Sequence, residues 1–316
     1  MAVLKCFRSL WGTPSARQLG VDAPHAYAAA LFRHVRAQGY DGVEASVADL
    51  EALGGLATAR ALLAEHDLRL IVGVYSGWGD YEPAGLAEQF DSVDAHAARL
   101  RSQLENVCTA FPDAADRPVR INAHSGADRW SRREQLTFVA RALALEQELG
   151  CAPVCHETHR GRVFFSPWST LELLEAFPRL QLTLDFSHWC VVSERLLDTP
   201  QDRAWLERVL PHVRHVHGRV GSDQAAQLAL PDAPVHAAET ERFERLWSDV
   251  WRHQHAASTA SGDSDDEWRS TFTPEYGPVP YAPRHHADVD AAAYDVDLLC
   301  AQRAARERVR FQAALT

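Results

Sequence analysis

Apolar positions along this chain follow two rhythms in turn. Short runs rich in Val, Ile, Leu and Phe alternate with longer stretches in which Ala, Leu and Phe recur at helical spacing, and the alternation repeats eight times. Val3 to Leu10 reads as the first strand, and Pro24 to Gln38 as the first helix, stopped by Gly39. Asp41-Gly42 turns into a strand from Val43 to Ser46; Leu50 to His66 reads as one helix across Gly54-Gly55; Leu68 to Tyr75 is β-rich. Gly85 to Ala110 and Ser131 to Leu149 are amphipathic helices flanking the strand Val119 to His124, and Gly150 closes the second. Strands then end at Glu157, Asp185, His217 and Glu275, and Asp288 to Leu315 is the closing helix. Regular alternation predicts a parallel sheet with helices outside it. Eight units predict closure into one (β/α)8 TIM barrel, a single α/β domain spanning 1–316. No G-x-G-x-x-G follows the first strand, which weakens a dinucleotide-binding alternative.

One stretch breaks the rhythm. The excursion at about 221–270 is longer than one strand-to-helix unit requires. Within it, Glu239 to His255 has helical spacing, and the Ala, Ser, Thr, Gly and Asp of Ala256 to Asp266 predict a solvated loop. The segment 221–238 follows a candidate metal ligand and is expected to cover bound substrate as a lid. Tyr276 to His286 is a loop rich in Pro and aromatic residues.

The chemistry lies where the apolar runs stop. The run from Pro153 breaks off into His156, Glu157, His159, Arg160 and Arg162, too many titratable or cationic groups for a core. Leu182-Thr183-Leu184 runs into Asp185, with Ser187 and His188 beyond. Val213 to Val216 runs into His217-Gly218-Arg219, and Thr271-Phe272-Thr273 into Pro274-Glu275. In a (β/α)8 barrel, catalytic groups sit at the C-terminal strand ends. Glu157, Asp185, His217 and Glu275, at four successive ends, make a ligand set for one divalent cation. One such carboxylate alone is more often a helix cap or an ion-pair partner; the four together in barrel order carry the metal reading. His215 shares a strand face with His217 but lies deeper and is assigned to the core, and His156 points away from Glu157. His188 is expected to contact substrate or to serve as acid or base, with a second metal as the rival role. His124 and Glu44, on earlier strands, and Arg160 and Arg219 are candidates for substrate binding; the alternative for each is an ordinary ion pair, which suits Arg162 better. Trp11, Tyr75, Trp78 and Trp189 are candidates for an apolar wall against a sugar ring.

Composition narrows the partners. A formal charge of −11 and a pI near 5.8 argue against a broad nucleic-acid footprint. No run approaches the ~20 apolar residues of a membrane helix, and the N-terminus has no signal-like pattern. The six cysteines are scattered without C-x-x-C spacing and read as mostly buried thiols of a cytoplasmic protein. A homo-oligomer is compatible with this reading.

These residues resemble the xylose isomerase-like TIM-barrel superfamily, in particular its sugar (phosphate) isomerase/epimerase branch, which contains the ketose 3-epimerases. The resemblance runs from Val3 to Leu315 and rests on Cys155-His-Glu-Thr-His-Arg160, Leu184-Asp-Phe-Ser-His-Trp189, His215-Val-His-Gly-Arg219 and Pro274-Glu275. It implies Glu157, Asp185, His217 and Glu275 as ligands of one divalent ion, Mn2+ first, with Mg2+, Co2+ or Zn2+ as alternatives. It implies His188 and Arg219 beside a small-molecule carbohydrate; charge and hydropathy, not the resemblance, lead to the expectation of no nucleic-acid and no membrane partner. Glu157 and Glu275 would then exchange a proton with opposite faces of a carbon beside a carbonyl, through an ene-diolate. Glu157-Thr158-His159 stands where xylose isomerases carry Glu-x-Lys, and Lys5 is the sole lysine, so a hydride shift is not expected. The alternatives are a lyase or dehydratase of the same fold, an apurinic-site endonuclease-like DNA-repair enzyme, and a non-catalytic sensor.

Overall fold

The computed structural model describes residues 2–21, 24–77, 92–261, 268–285, 288–292 and 294–316. Eight parallel strands close into a barrel in chain order: β1 (Lys5–Ser9), β2 (Gly42–Ser46), β3 (Arg69–Tyr75), β4 (Arg120–His124), β5 (Val154–Glu157), β6 (Leu182–Asp185), β7 (Val213–His217) and β8 (Thr271–Thr273). Around them lie α1 (Pro24–Ala37), α2 (Val47–Ala52), α3 (Leu56–Glu65), α4 (Val93–Ala110), α5 (Arg132–Leu149), α6 (Pro167–Ala176), α7 (Phe186–Ser193), α8 (Pro200–Val209), α9 (Ala237–Ser261) and α10 (Val296–Leu315). Two short antiparallel strands, β9 (Arg284–His285) and β10 (Asp288–Ala292), precede α10. Among the described residues, no helix is long and apolar enough to cross a membrane.

The two-residue period of a strand decides what faces each way. Val43, Ala45, Ile121, Ala123, Val154, Leu182, Leu184, Val216 and Phe272 belong to the main apolar core. The residues between them, among them Glu44, Asn122, His124, Glu157, Asp185, His215 and His217, are polar and buried, with Asn122 and His124 joined to Glu157 and both His215 and His217 joined to Glu44. The barrel is therefore apolar outside and polar within, except where Phe7, Ile71, Val119 and Trp268 cluster near the N-terminal strand ends.

Several elements depart from the sequence-based expectation. The helix expected from Leu50 to His66 is two helices, because Gly54 and Gly55 take φ of 105° and 95°. Helix α9 continues to Ser261, so Ala256 to Ser261 is helical rather than loop; 262–267 lie outside the described residues. The closing helix starts at Val296, capped by Asp295, and not at Asp288, which pairs in the β9–β10 hairpin. Of the helix expected from Gly85, the part 85–91 lies outside the described residues, and the rest starts at Val93 behind the cap Ser92. Cys6, Cys155, Cys190 and Cys300 are buried thiols as expected, but Cys108 and Cys151 form a disulfide between the end of α4 and the approach to β5. Their 43-residue separation carries no local pattern that announces it.

Candidate active site

Strands β5 to β8 bring their polar ends together. Residue Asp185 lies level with His217, and His217 with Thr273, two residues before Glu275. Glu157, Asp185, His217 and Glu275 each offer a ligand atom, all within 4.8 Å of one another. His217 Nδ1 lies 3.1 Å from Glu275 Oε2 and 3.6 Å from Glu157 Oε1. Donors ~2.1 Å from a shared ion stand about 3.0 Å apart at octahedral and about 3.4 Å at tetrahedral angles, so the spacing fits a metal. Among the described residues, both His217 Nδ1 and Glu275 Oε2 are buried without a hydrogen-bond partner, a cost that a shared cation would remove. Three carboxylates and one imidazole, with no thiolate, suit Mn2+, Mg2+, Co2+ or Zn2+.

Each of these side chains is held from behind. Asn122 Nδ2 donates to Glu157 Oε2 at 2.7 Å, and His124 Nε2 lies 2.6 Å from the same oxygen. Asp185 caps α7: its Oδ1 accepts from the Ser187 amide at 2.9 Å and from the Ser187 hydroxyl. Its Oδ2 accepts from Arg219 Nη2. His217 Nε2 lies 2.9 Å from Glu44 Oε1, and His215 Nε2 lies 3.1 Å from Glu44 Oε2. Burial alone would raise the carboxyls of Glu157 and Glu44, but the imidazoles beside each outweigh it and hold both well below the ordinary range. Burial raises Asp185 to about 6 against the pull of Arg219. Burial would lower His217, yet Glu275, Glu44 and Glu157 raise it well above an ordinary histidine.

The other expected site residues sort by position. Arg219 is buried and spends four of its N–H groups: Nη2 on Asp185 and His188 Nε2, Nε on Ser187, and Nη1 on the Glu275 carbonyl. One Nη1 hydrogen is left, since a guanidinium carries five. An arginine cannot accept, so His188 Nε2 accepts from it at 3.0 Å and the His188 proton sits on Nδ1, which has no hydrogen-bond partner. Burial, His159 and Arg219 push His188 well below its ordinary pKa, so it is neutral; the His159 ring lies against it, centroids 3.8 Å apart and tilted by 44°, and is likewise lowered by burial. Trp11 meets Tyr281 edge to face at 5.0 Å, and Arg219 and Arg160 lie 4.7 and 5.1 Å from the Tyr281 ring. Tyr75 packs edge-on against His124 at 4.6 Å. Glu44 sits beneath this group, both of its oxygens taken by imidazoles.

Some expectations change. Trp189 is fully buried and donates to the Phe164 carbonyl at 2.9 Å, so it belongs to the core and not to a sugar-facing wall. Arg162 is buried, not at the surface, and donates to the Gly77 carbonyl at 2.9 Å. Trp78 lies outside the described residues. Asn122 and Tyr281 were not foreseen. Asn122 was findable, since it precedes His124 by two positions and so shares its face. Nothing in the loop sequence singled out Tyr281 from its aromatic neighbours.

The segment 221–238, expected as a lid, is fastened in this state. Gln227 brackets Gly277, accepting from its amide at 2.8 Å and donating to its carbonyl at 3.0 Å. The Leu228 amide donates to Val220, Thr240 to the Pro231 carbonyl, and Arg303 to Asp232. Gly277 in turn lies so close to Trp11 that a Cβ would fall 2.1 Å from its ring. The Gly277 and Leu228 amides are expected to exchange slowly with D2O even without substrate; fast exchange at both would show that the clamp does not hold.

Comparison with known proteins follows this geometry. No protein-family model matches the chain, and no curated protein matches it. Among solved structures, a D-allulose 3-epimerase from Methylomonas sp. in complex with D-allulose is similar, with a TM-score of 0.59 and 14% identity over 98% of each chain. An L-ribulose 3-epimerase has a TM-score of 0.59 and 12% identity over 99% of this chain and 96% of that one. Endonuclease IV from Thermus thermophilus has a TM-score of 0.51 and 16% identity over 98% of each chain. At such identities the likeness speaks for architecture alone: the chain shares the (β/α)8 barrel fold of these enzymes.

Proposed function

We propose that this protein is a divalent-metal-dependent isomerase or epimerase acting on a keto-sugar or related polyol by proton transfer through an ene-diolate. The observation that carries the proposal is the disposition of Glu157 and Glu275 about His217 Nδ1, at 3.6 and 3.1 Å, with Asp185 in the same group. The two glutamates come from the ends of β5 and β8, three strands apart around the mouth. The bound ion would stabilise negative charge developing on the substrate oxygens.

The remaining work falls to side chains. Glu157, ionised and oriented by Asn122 and His124, is fit to take a proton from one face of a carbon. Glu275 is the most accessible of the four, with 16% of its side chain exposed, and would serve the opposite face of that carbon. His188 is a neutral donor through Nδ1, which suits a substrate oxygen better than it suits a base. The spare Nη1 hydrogen of Arg219 is a second donor, and Trp11 and Tyr281 supply aromatic surface for a sugar's C–H face. Mn2+ as the ion, Arg160 and Tyr75 at the rim of the substrate, and a cytoplasmic location belong to the same reading.

The experiment is a screen of keto-sugars for metal-dependent proton exchange in D2O, which detects the shared step whatever the product. No exchange with any sugar would remove the isomerase and epimerase reading. A second reading has one observation behind it: His124, Glu157 and His159 form another group of close ligand atoms. Together with the fold likeness to endonuclease IV, that keeps an apurinic-site nuclease with several metals in view. Elemental analysis separates the two, since one metal per chain favours the sugar enzyme and three favour the nuclease.

A further inference from the structure

Glu44 was expected to touch substrate, yet it lies under the ligand group with both oxygens engaged. Oε1 lies 2.9 Å from His217 Nε2, and Oε2 lies 3.1 Å from His215 Nε2. An ionised carboxylate only accepts, so both Nε2 atoms carry their protons. His215 is itself fixed, with Nδ1 2.8 Å from the Thr271 hydroxyl and Nε2 3.2 Å from that of Thr273. The chain Thr271–His215–Glu44–His217 therefore runs across the barrel interior from β8 to β7 to β2 and back to β7, every member buried. At its end His217 turns Nδ1 toward Glu275 and Glu157.

We infer that Glu44 is a positioning residue for His217, anchoring the Nε2 proton so that the Nδ1 lone pair is the one presented to the ion. The inference rests on the metal reading above. A carboxylate behind a ligating imidazole fixes the ring's tautomer and orientation and raises its basicity, and loss of such a partner typically weakens metal binding about 10- to 100-fold. A glutamine at position 44 has the right volume but one acceptor and one donor. It can serve one of the two Nε2–H groups and must turn its amide hydrogens on the other.

The test uses the full chain and Mn2+ alone. Glu44→Gln is expected to bind Mn2+ about 10- to 100-fold more weakly in calorimetric titration, with its circular dichroism unchanged. Glu44→Asp keeps the buried charge, and with it the fold should glutamine not be tolerated, but falls one methylene short of His217; it is expected to weaken binding as well. The readout that a merely structural role would not move is the His217 imidazole in 15N NMR of the Zn2+-loaded protein. Wild type is expected to show the proton on Nε2 and the metal-shifted nitrogen at Nδ1, and the variants to show a displaced Nε2–H resonance. A wild-type spectrum with the proton on Nδ1 overturns the inference without any variant. Wild-type affinity in a folded variant, or weakened affinity with an unmoved Nε2–H resonance, overturns it while leaving the metal reading intact. Absence of Mn2+ binding by the wild type overturns both.

Discussion

Glu157→Gln and Asp185→Asn are each expected to bind Mn2+ more than about 100-fold more weakly than the wild type, because on the proposed reading they remove a direct ligand rather than its support. Both substitutions keep volume and part of the hydrogen bonding. A glutamine oxygen still accepts from Asn122, and an asparagine oxygen still caps α7 through the Ser187 amide. The fold should therefore survive, with the sharper local loss at Asp185, where an amide NH2 would face Arg219 Nη2. The pH dependence separates the two sites. Burial raises Asp185 to about 6, so its proton competes with the ion below that pH. His217, raised well above an ordinary histidine, already makes wild-type affinity fall as the pH drops toward this range; beneath about 6 the fall is expected to steepen by about a further tenfold per pH unit, and only this added steepening is expected to disappear in Asp185→Asn. Equilibrium dialysis across pH, with circular dichroism to monitor the fold, measures both effects. Full Mn2+ occupancy of both variants at wild-type concentrations would end the assignment of these carboxylates as ligands.

What the chain disclosed in advance follows from how information is distributed along a barrel. Strand ends were readable because an apolar run that stops at Glu157, Asp185, His217 or Pro274-Glu275 is a local event of two or three residues. Helix α5 was readable because Ser131 and Glu134 form a capping box and Gly150 closes the other end. The depth of a polar residue was not readable. His124 and Glu157 end β4 and β5 and Glu44 lies mid-strand in β2, but the barrel's stagger determines which of them lies beneath the proposed ligand group and which within it. Whether Trp189 faces a cavity or the core depends on α7 starting at once after Asp185, which no residue type announces. The continuation of α9 through Ala256 to Ser261 was hidden because Ala, Ser and Thr serve helix and loop alike. The Cys108–Cys151 pairing needed the approach of α4 to the segment before β5, a tertiary fact.

Glu275→Gln is expected to abolish epimerisation while still permitting exchange of a substrate proton with D2O from one epimer. The reason is the asymmetry of the two glutamates. Glu157 is 1% exposed, clasped by Asn122 and His124, and held strongly ionised. Glu275 has 16% of its side chain exposed, and Oε2 lies 3.1 Å from His217 Nδ1 and 3.5 Å from Arg219 Nη2. A carbon lying between them offers one face to each carboxylate. Removing Glu275 leaves Glu157 able to take a proton from its own face and, after exchange with solvent, to return deuterium there. No proton reaches the other face, so no epimer forms. Glu157→Gln should show the mirror behaviour from the opposite epimer, and because both glutamates belong to the proposed ligand set the two variants are compared at equal metal occupancy. Loss of either base from a two-base site is expected to cost at least about 100-fold in epimer formation. The measurement is deuterium wash-in for both variants, run from each epimer, with metal content matched by titration. Wash-in at equal rates from both epimers in Glu275→Gln would show one base serving both faces. Normal epimer formation in that variant would make its carboxylate a ligand and nothing more, leaving the proton on His188 Nδ1 as the nearest remaining acid.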